Sequence, residues 1–472
     1  LNRVYVPRLF LRRLEGLLHR AAKSSEQISP GHVNGLMSVF WQPWGRRVDP
    51  IMLNRPEAKV YARCSWWHHN YYRRRKKPRC RMAPGFDIFQ KTVHYRYFVM
   101  KNKGTVFVGM SGGVDSSVAA YLLKREGYDV IGVFMRCYNI DGCAEQDAED
   151  ARRVAGHLGI PFYVWDFEEE YKKRVVQYMV DGYRHGLTPN PDVECNREIK
   201  FGLFFDRARS LGADFVATGH YVRLRRGMLC AAKDANKDQS YFLWTLTQRE
   251  LAHCRFPIGE YTKPQVRAIA RRANLPTADK KDSQGVCFLG NVAVKDFLKR
   301  YIKPKQGRIV TADGTVVGRH EGAYFYTIGQ RHGLDLKEKN AALRIRGEHR
   351  TRPHYVAAKD VKKNILIVAE GENNSALYQK DVALGGVNFI DPHHSKILKD
   401  GGMSVLARVR YRQPLSPAKL RALGRGRYRL AFAKPQKFVA PGQSAVFYLP
   451  GHSGGKAGLK SELRVLGGGI IL

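Results

Sequence analysis

From Thr105 onward the chain alternates between two kinds of apolar spacing. Val106, Phe107 and Val108 form an unbroken apolar run that fits a strand buried on both faces, while Ser116 to Leu123 sets alanines, leucines and a tyrosine at helical spacing. The helix ends near Gly127. Asp129 to Phe134 predicts a second buried strand, Ala148 to Leu158 a helix and Phe162 to Trp165 a third strand. This β-α-β-α-β alternation implies a parallel sheet with right-handed crossovers and a site at the carboxyl ends of its strands. Helical spacing runs from Glu168 to Tyr183, is broken by Thr188-Pro189-Asn190-Pro191, and resumes around Asn196 to Leu211. Asp214 to Thr218 is a further strand, followed by Gly219-His220-Tyr221, and Lys263 to Ala273 is a further helix. After about residue 303 the pattern shortens to β segments with turn residues, and from about Leu377 another β-rich block holds ARVRYR and SAVFYL. The expected fold is α/β: a parallel-sheet domain with a helical insertion over 100–302, a central small β-rich domain over 303–374, and a second over 375–472.

Residues 1–99 lack such a pattern and support three readings. Phe10, Leu14, Leu17 and Leu18 share a helical face among arginines, as in an organellar presequence. The cluster Arg73, Arg74, Arg75, Lys76, Lys77 and Arg79 suits a nucleic-acid arm. The preferred expectation is a disordered or non-native basic extension, with the true protein starting at Met100 and a short polar leader running into the first strand.

Charge narrows the partner. Lys and Arg number 81 against 42 for Asp and Glu in 472 residues, a formal net charge of +39. A polyanion such as nucleic acid is the first candidate, although part of the excess lies in the basic extension. No apolar run of about 18 residues occurs, so no membrane partner is expected. The eight cysteines (Cys64, Cys80, Cys137, Cys143, Cys195, Cys230, Cys254 and Cys287) include no C-x-x-C pair. They read as reduced thiols, without zinc or an iron-sulfur cluster. Cys137 and Cys143 read as structural, and Cys230 and Cys254 receive no role.

Chemistry concentrates in Thr105 to Ser117, TVFVGMSGGVDSS. Gly112 and Gly113 let the backbone approach a ligand, and the N–H groups that open the next helix point at it, which favours an anion. Ser111, Ser116 and Ser117 add hydroxyls, and Asp115 could hold a magnesium ion or position the loop. No Gly-Lys-Ser/Thr follows, which excludes the kinase-type phosphate loop. The string resembles the pyrophosphate loop of ATP pyrophosphatases, which adenylate a carbonyl oxygen.

A second constellation narrows the substrate. Asn190-Pro191-Asp192-Val193-Glu194-Cys195-Asn196 sets Asp192 and Cys195 three residues apart at the entrance of a helix, where the positive helix end would lower a thiol pKa and leave the thiolate accessible. Taken alone, such a cysteine can equally be a small buried residue. Cys287, in the polar turn after DSQG, is a second loop thiol. Two such thiols flanking a nucleotide site suit persulfide chemistry followed by thiol–disulfide exchange.

NPDxxCNxxIKF, SQxxCF and SGGVDSS together, with VFMR, EDARRVA, ATGHY, KDQSYFL, YTIGQRHGL and VRYR, are similar to the tRNA-specific 2-thiouridylase family, known as MnmA in bacteria and with a mitochondrial counterpart. The resemblance spans 100–472 and implies a PP-loop catalytic domain of the adenine nucleotide alpha hydrolase type and a C-terminal β-barrel. It implies thiolation of C2 of the wobble uridine in tRNAs for lysine, glutamate and glutamine, with ATP and Mg2+. By this resemblance Gly109, Met110, Ser111, Gly112, Gly113, Val114, Asp115, Ser116, Met135 and Gly219 would contact ATP, and Asn190, Pro191 and Asp192 the target base. His220, Lys237, Asp238, Gln239, Tyr411, Arg412 and Gln443 would contact tRNA. Cys287 would carry the persulfide and Cys195 would be its partner, the two forming a disulfide, with Asp192 moving a proton. A persulfide donor, a monomer when free and a bacterial cytoplasmic location, or alternatively a mitochondrial one, follow from the same resemblance. Two alternatives stay open: another ATP pyrophosphatase acting on a small molecule, and a non-catalytic RNA-binding relative. Tyr241, Phe242 and Trp244 read as core rather than as a base-stacking platform, because they alternate with Leu243 and Leu246.

Overall fold

The computed structural model describes residues 102–138, 142, 144–282, 288–290, 292–336, 352–397, 402–450 and 462–472. The expectations for residues 1–99 and for Cys143, Ser283, Gln284 and Cys287 lie outside the described residues.

The first strands are β1 (Thr105–Gly109), β2 (Asp129–Arg136), β3 (Phe162–Asp166), β4 (Phe215–Thr218), β5 (Val222–Arg225), β6 (Met228–Ala231) and β7 (Cys254–Arg255). All but β5 and β6 form one parallel sheet in the order β3-β2-β1-β4-β7. The most apolar run takes the middle of it. Val106 and Val108 face α1 (Val114–Arg125) and α2 (Ala144–Leu158), whereas Phe107 faces the opposite layer against Trp165. At the edge, β3 leaves Tyr163 53% exposed, so its outer positions need not be apolar.

The opposite layer is the helical insertion. It comprises α3 (Glu168–Tyr171), a π-helical turn over Lys172–Val176, α4 (Gln177–Arg184), α5 (Pro191–Cys195), a second π-helical stretch over Asn196–Leu203, and α6 (Phe204–Ser210). Its second half starts at Pro191, earlier than the expected Asn196. Proline breaks a helix interior but is well tolerated at the first helical position, where its missing N–H costs nothing and its φ is already set. Asn190 caps this start by accepting from the Asp192 and Val193 N–H groups at 3.2 and 3.3 Å. Two later helices, α7 (Gln248–Ala252) and α8 (Lys263–Arg272), complete this part, and α8 packs Val266 and Ala270 beside α1.

Next come β8 (Gly307–Val310), β9 (Val316–His320), β10 (Asp335–Leu336), β11 (His354–Asp360) and β12 (Ile365–Glu370), in the sheet order β10-β9-β8-β12-β11. The last strands are β13 (Tyr378–Phe389), β14 (Met403–Arg408), β15 (Ser416–Gly424), β16 (Arg427–Lys437), β17 (Ser444–Pro450) and β18 (Leu463–Ile471). They run β13-β16-β15-β14-β17-β18, and β13 pairs again with β18, so the barrel closes. One feature departs from the expected layout: the β5–β6 hairpin bonds to β18 at Arg464 and Cys230 and thereby extends the barrel's sheet from within the first domain.

Candidate active site

The loop after β1 is shaped by close contacts. Met110 donates its N–H to the Val133 carbonyl at 2.8 Å, which ties the loop to β2. Gly112 has φ +72°, and a β-carbon there would collide with the Asp147 carbonyl of α2, so no other residue fits. Gly113 is the N-cap of α1. The Ser111 N–H donates to Ser116 Oγ at 3.1 Å, and the Ser116 and Ser117 hydroxyls donate to the Gly113 carbonyl at 3.2 and 2.8 Å. These bonds hold the first turn of α1 with its N–H groups at the carboxyl edge of the sheet, an arrangement that suits phosphate. A β-carbon on Gly219, just past β4, would lie 2.6 Å from the Ser116 nitrogen, and one on Gly109 would lie 2.9 Å from the Met135 methyl. The expected nucleotide residues, Gly109 to Ser116 with Met135 and Gly219, are therefore neighbours at the ends of β1, β2 and β4.

Asp115 is already engaged. Lys263 Nζ donates to its two carboxylate oxygens at 2.8 and 2.9 Å, and the Tyr221 hydroxyl donates to Oδ1 at 2.8 Å. Lys263 also pairs with Asp282 at 2.8 Å, and Asp282 is joined by Lys237 at 2.7 Å and Arg267 at 2.6 Å. Burial alone would raise the Asp282 carboxyl, but hydrogen bonds from Lys237 and Lys263 outweigh it and hold the pKa at about 2. Lys263, Arg267 and Tyr221 receive no role from sequence, and Asp282 stands out there only as the first residue of the DSQG turn before Cys287. One signal was available: Lys263 is a cation in the first turn of α8, where the helix dipole disfavours it, so it needs a carboxylate partner.

Asn190, Pro191 and Asp192 form the capped start of α5, and Cys195 closes that helix. The expected accessible thiolate at a helix entrance is corrected here. Because the helix starts at Pro191, Cys195 falls a full turn inside it and is 2% exposed, in the apolar layer that also contains Ile199 and Phe201. Phe288 and Leu289 belong to the same layer, with the Phe288 ring 5.6 Å from that of Tyr171.

The residues expected on tRNA divide into exposed and internal. His220 is buried between Phe201 and Phe256 and shares a hydrogen bond of 2.7 Å with the Thr218 hydroxyl. Burial, reinforced by Lys200, keeps it neutral, with a pKa well below the usual histidine range. Asp238 is also buried and accepts from Arg408 of β14 at 2.7 Å and from the Ser240 hydroxyl at 2.8 Å. Both side chains make their hydrogen bonds inside the chain. Gln239 accepts the Tyr221 N–H at 2.8 Å, and Gln443 donates to the Thr188 carbonyl at 2.9 Å. The Tyr411 ring lies 4.4 Å from that of Phe242, and the exposed Arg412 sits 5.4 Å from the Tyr411 ring. Tyr241 and Trp244 are core residues whose hydroxyl and indole N–H donate to Ser444 of the barrel at 2.7 and 3.0 Å.

Comparison with known proteins follows this layout. Residues 104–291 match the family described as tRNA methyl transferase HUP domain, 295–370 the tRNA methyl transferase PRC-barrel domain, and 379–471 the aminomethyltransferase beta-barrel domain. The tRNA-specific 2-thiouridylase MnmA 1 of Geobacillus kaustophilus is 48% identical over 358 residues, covering 74% of this chain and 93% of that protein. The tRNA-specific 2-thiouridylase MnmA of Bacillus subtilis is 45% identical over 352 residues, covering 73% and 91%. A solved 4-thiouridine synthetase in complex with RNA and ATP aligns at a TM-score of 0.26 and 18% identity over 42% of this chain and 50% of that one, too distant to bear on function. With relatives this similar along nearly their whole length, the chain belongs to the tRNA-specific 2-thiouridylase MnmA family.

Proposed function

We propose that this chain replaces the C2 oxygen of the wobble uridine with sulfur in tRNAs for lysine, glutamate and glutamine, consuming ATP and releasing AMP and pyrophosphate. One observation supports it most. Asp282 and Phe288, the described residues on either side of 283–287, belong to the ion network of Asp115 and to the layer that contains Cys195. The sequence flanking Cys287 thus leads from the nucleotide loop's ion network on one side to the layer of Cys195 on the other.

The uracil C2 carbonyl is a poor electrophile. Its oxygen attacks the α-phosphorus of ATP, pyrophosphate leaves, and C2 then carries AMP as a good leaving group. In the loop, the first-turn N–H groups of α1 and the hydroxyls of Ser111 and Ser116 hold the phosphates, and Lys263 keeps Asp115 from repelling them. Asp115 does not fit the part of a magnesium ligand as it stands, because Lys263 and Tyr221 occupy it. The terminal sulfur of a Cys287 persulfide attacks C2 and displaces AMP. The Cys195 thiolate then attacks Cys287 Sγ, so the S–S bond to the base breaks, a Cys195–Cys287 disulfide forms, and the electron pair left on sulfur makes the thiocarbonyl. A thiol reductant resets the pair, and a persulfide donor reloads Cys287. Cys195 is buried and must become accessible before it attacks, and Asp192 is suited to move the proton. The wobble base must leave its stack to enter.

A methyl transferase, the wording of two of the family descriptions, would have no use for a pyrophosphate-releasing loop. The test is pyrophosphate release by the full chain with ATP, Mg2+ and unmodified tRNA, with no sulfur donor present. Release that requires tRNA is expected. Release at the same rate without tRNA would favour a small-molecule substrate, and none under either condition would overturn adenylation.

A further inference from the structure

Two cations where the three domains meet have no part in this chemistry. Lys359 of β11 donates from Nζ to the Tyr326 carbonyl at 2.7 Å and lies 3.5 Å from the Leu187 carbonyl and 5.9 Å from the Tyr183 ring centre. Arg410, just past β14, donates from Nε to the Phe438 carbonyl at 2.8 Å and from Nη2 to the Ile328 carbonyl at 2.5 Å. Tyr326 and Ile328 belong to YTIGQ, a string the loop chemistry leaves unused. They are two residues apart, so their Cα atoms are separated by at most about 7 Å. The Tyr183 hydroxyl lies near Thr327 between them and within electrostatic reach of Arg410.

Among the described residues, no carboxylate pairs with either cation; both bond to carbonyl oxygens. Burial pushes the Lys359 ammonium down to about 8 and lowers Arg410 below its usual range. Both cations are half-buried, and positive charge partly withdrawn from water without a counter-charge is unfavourable, which an anion would relieve. The pair also lies beside the turn assigned to the target base. Leu187 adjoins Thr188, whose N–H donates to the Pro441 carbonyl at 2.7 Å. The Asn190 side chain reaches the Tyr241 hydroxyl, which in turn senses Arg410.

Resting on that assignment of the turn, we propose that Lys359 and Arg410 form a phosphate site that grips the RNA backbone beside the flipped uridine. The ligand is a phosphodiester of the single-stranded anticodon loop, with a planar guanidinium and a point ammonium sharing its two free oxygens. Carbonyls from all three domains aim the two cations, so the site exists only in the assembled chain.

The test measures binding of an unmodified anticodon stem-loop RNA to the full chain over a range of KCl. The RNA carries either normal linkages or one neutral methylphosphonate on the 5′ or 3′ side of the wobble uridine. For the wild-type chain, one of the two methylphosphonates should weaken binding several-fold and make the plot of log affinity against log salt shallower by about 0.7, the value of one single-strand phosphate contact. Lys359→Met should show the same loss with normal RNA and no further loss with that methylphosphonate, while Lys359→Arg should bind as the wild type does. Wild-type binding indifferent to both methylphosphonates would overturn the site, and that result needs no variant to fold. A folded Lys359→Met variant with an unchanged salt slope would overturn it too. Thiolation is scored separately: 2-thiouridine formed without any methylphosphonate effect sinks only the site, whereas a methylphosphonate effect without 2-thiouridine sinks only the function.

Discussion

His220 shows how burial decides the chemistry of a single side chain in this molecule. It follows the strand end where a ligand histidine would be useful, yet it lies between two phenylalanines and is kept neutral by burial. The unfolded chain therefore takes up a proton that the native chain refuses. Its contribution is intact above the ordinary histidine value of about 6.5 and is lost as pH falls below it toward the depressed folded value. Melting temperatures between pH 8 and 5 should fall with acid in the wild type and fall less over the same window in His220→Gln. Parallel profiles would show that another group carries the acid sensitivity. Asp282 has the opposite charge type but the same sign of dependence. Held at about 2 by its lysines, it adds stability above its usual 3.8 that is lost only as pH drops through that interval.

At the scale of elements, the Asp238–Arg408 pair connects the loop after β6 to β14 of the barrel, and both side chains are buried. Removing one member strands the other charge. Asp238→Asn or Arg408→Met should therefore each destabilise by about 3–5 kcal/mol, and the double variant by clearly less than the sum. Urea unfolding of all four proteins measures this, and additive losses would mean that the two side chains act independently. The strands of the parallel sheet were legible in the sequence because β1, β2 and β4 are buried and their apolar runs are unbroken. The start of α5 was misread because Pro191 can either break a helix or begin one, and only the cap from Asn190 decides. The β5–β6 hairpin was not legible as part of the barrel: four-residue strands such as VRLR carry too little pattern to say which sheet they join. Similarly, the SGGVDS loop was readable from local spacing, whereas Lys263 and Asp282 reach Asp115 only through the fold.

Over the whole molecule, three consecutive residues link the parts. Lys237 holds Asp282 beside the nucleotide loop, Asp238 holds the barrel through Arg408, and Gln239 accepts from Tyr221, whose hydroxyl returns to Asp115. The barrel and the ATP loop are thus joined through one short segment, while the YTIGQ string meets the barrel through Arg410 and is bridged by Lys359 to Leu187 of the helical insertion. The proposed reaction requires RNA on this assembly to reach the nucleotide loop, Cys195 and Cys287. The most direct measurement of that claim is mass spectrometry of the wobble uridine after incubating unmodified tRNA with ATP, Mg2+, a persulfide donor and the wild type, Cys195→Ser or Cys287→Ser. The wild type should yield 2-thiouridine over many turnovers, Cys287→Ser none, and Cys195→Ser at most a trace. Wild-type rates in either serine variant, or no 2-thiouridine from the wild type with an active donor, would contradict it.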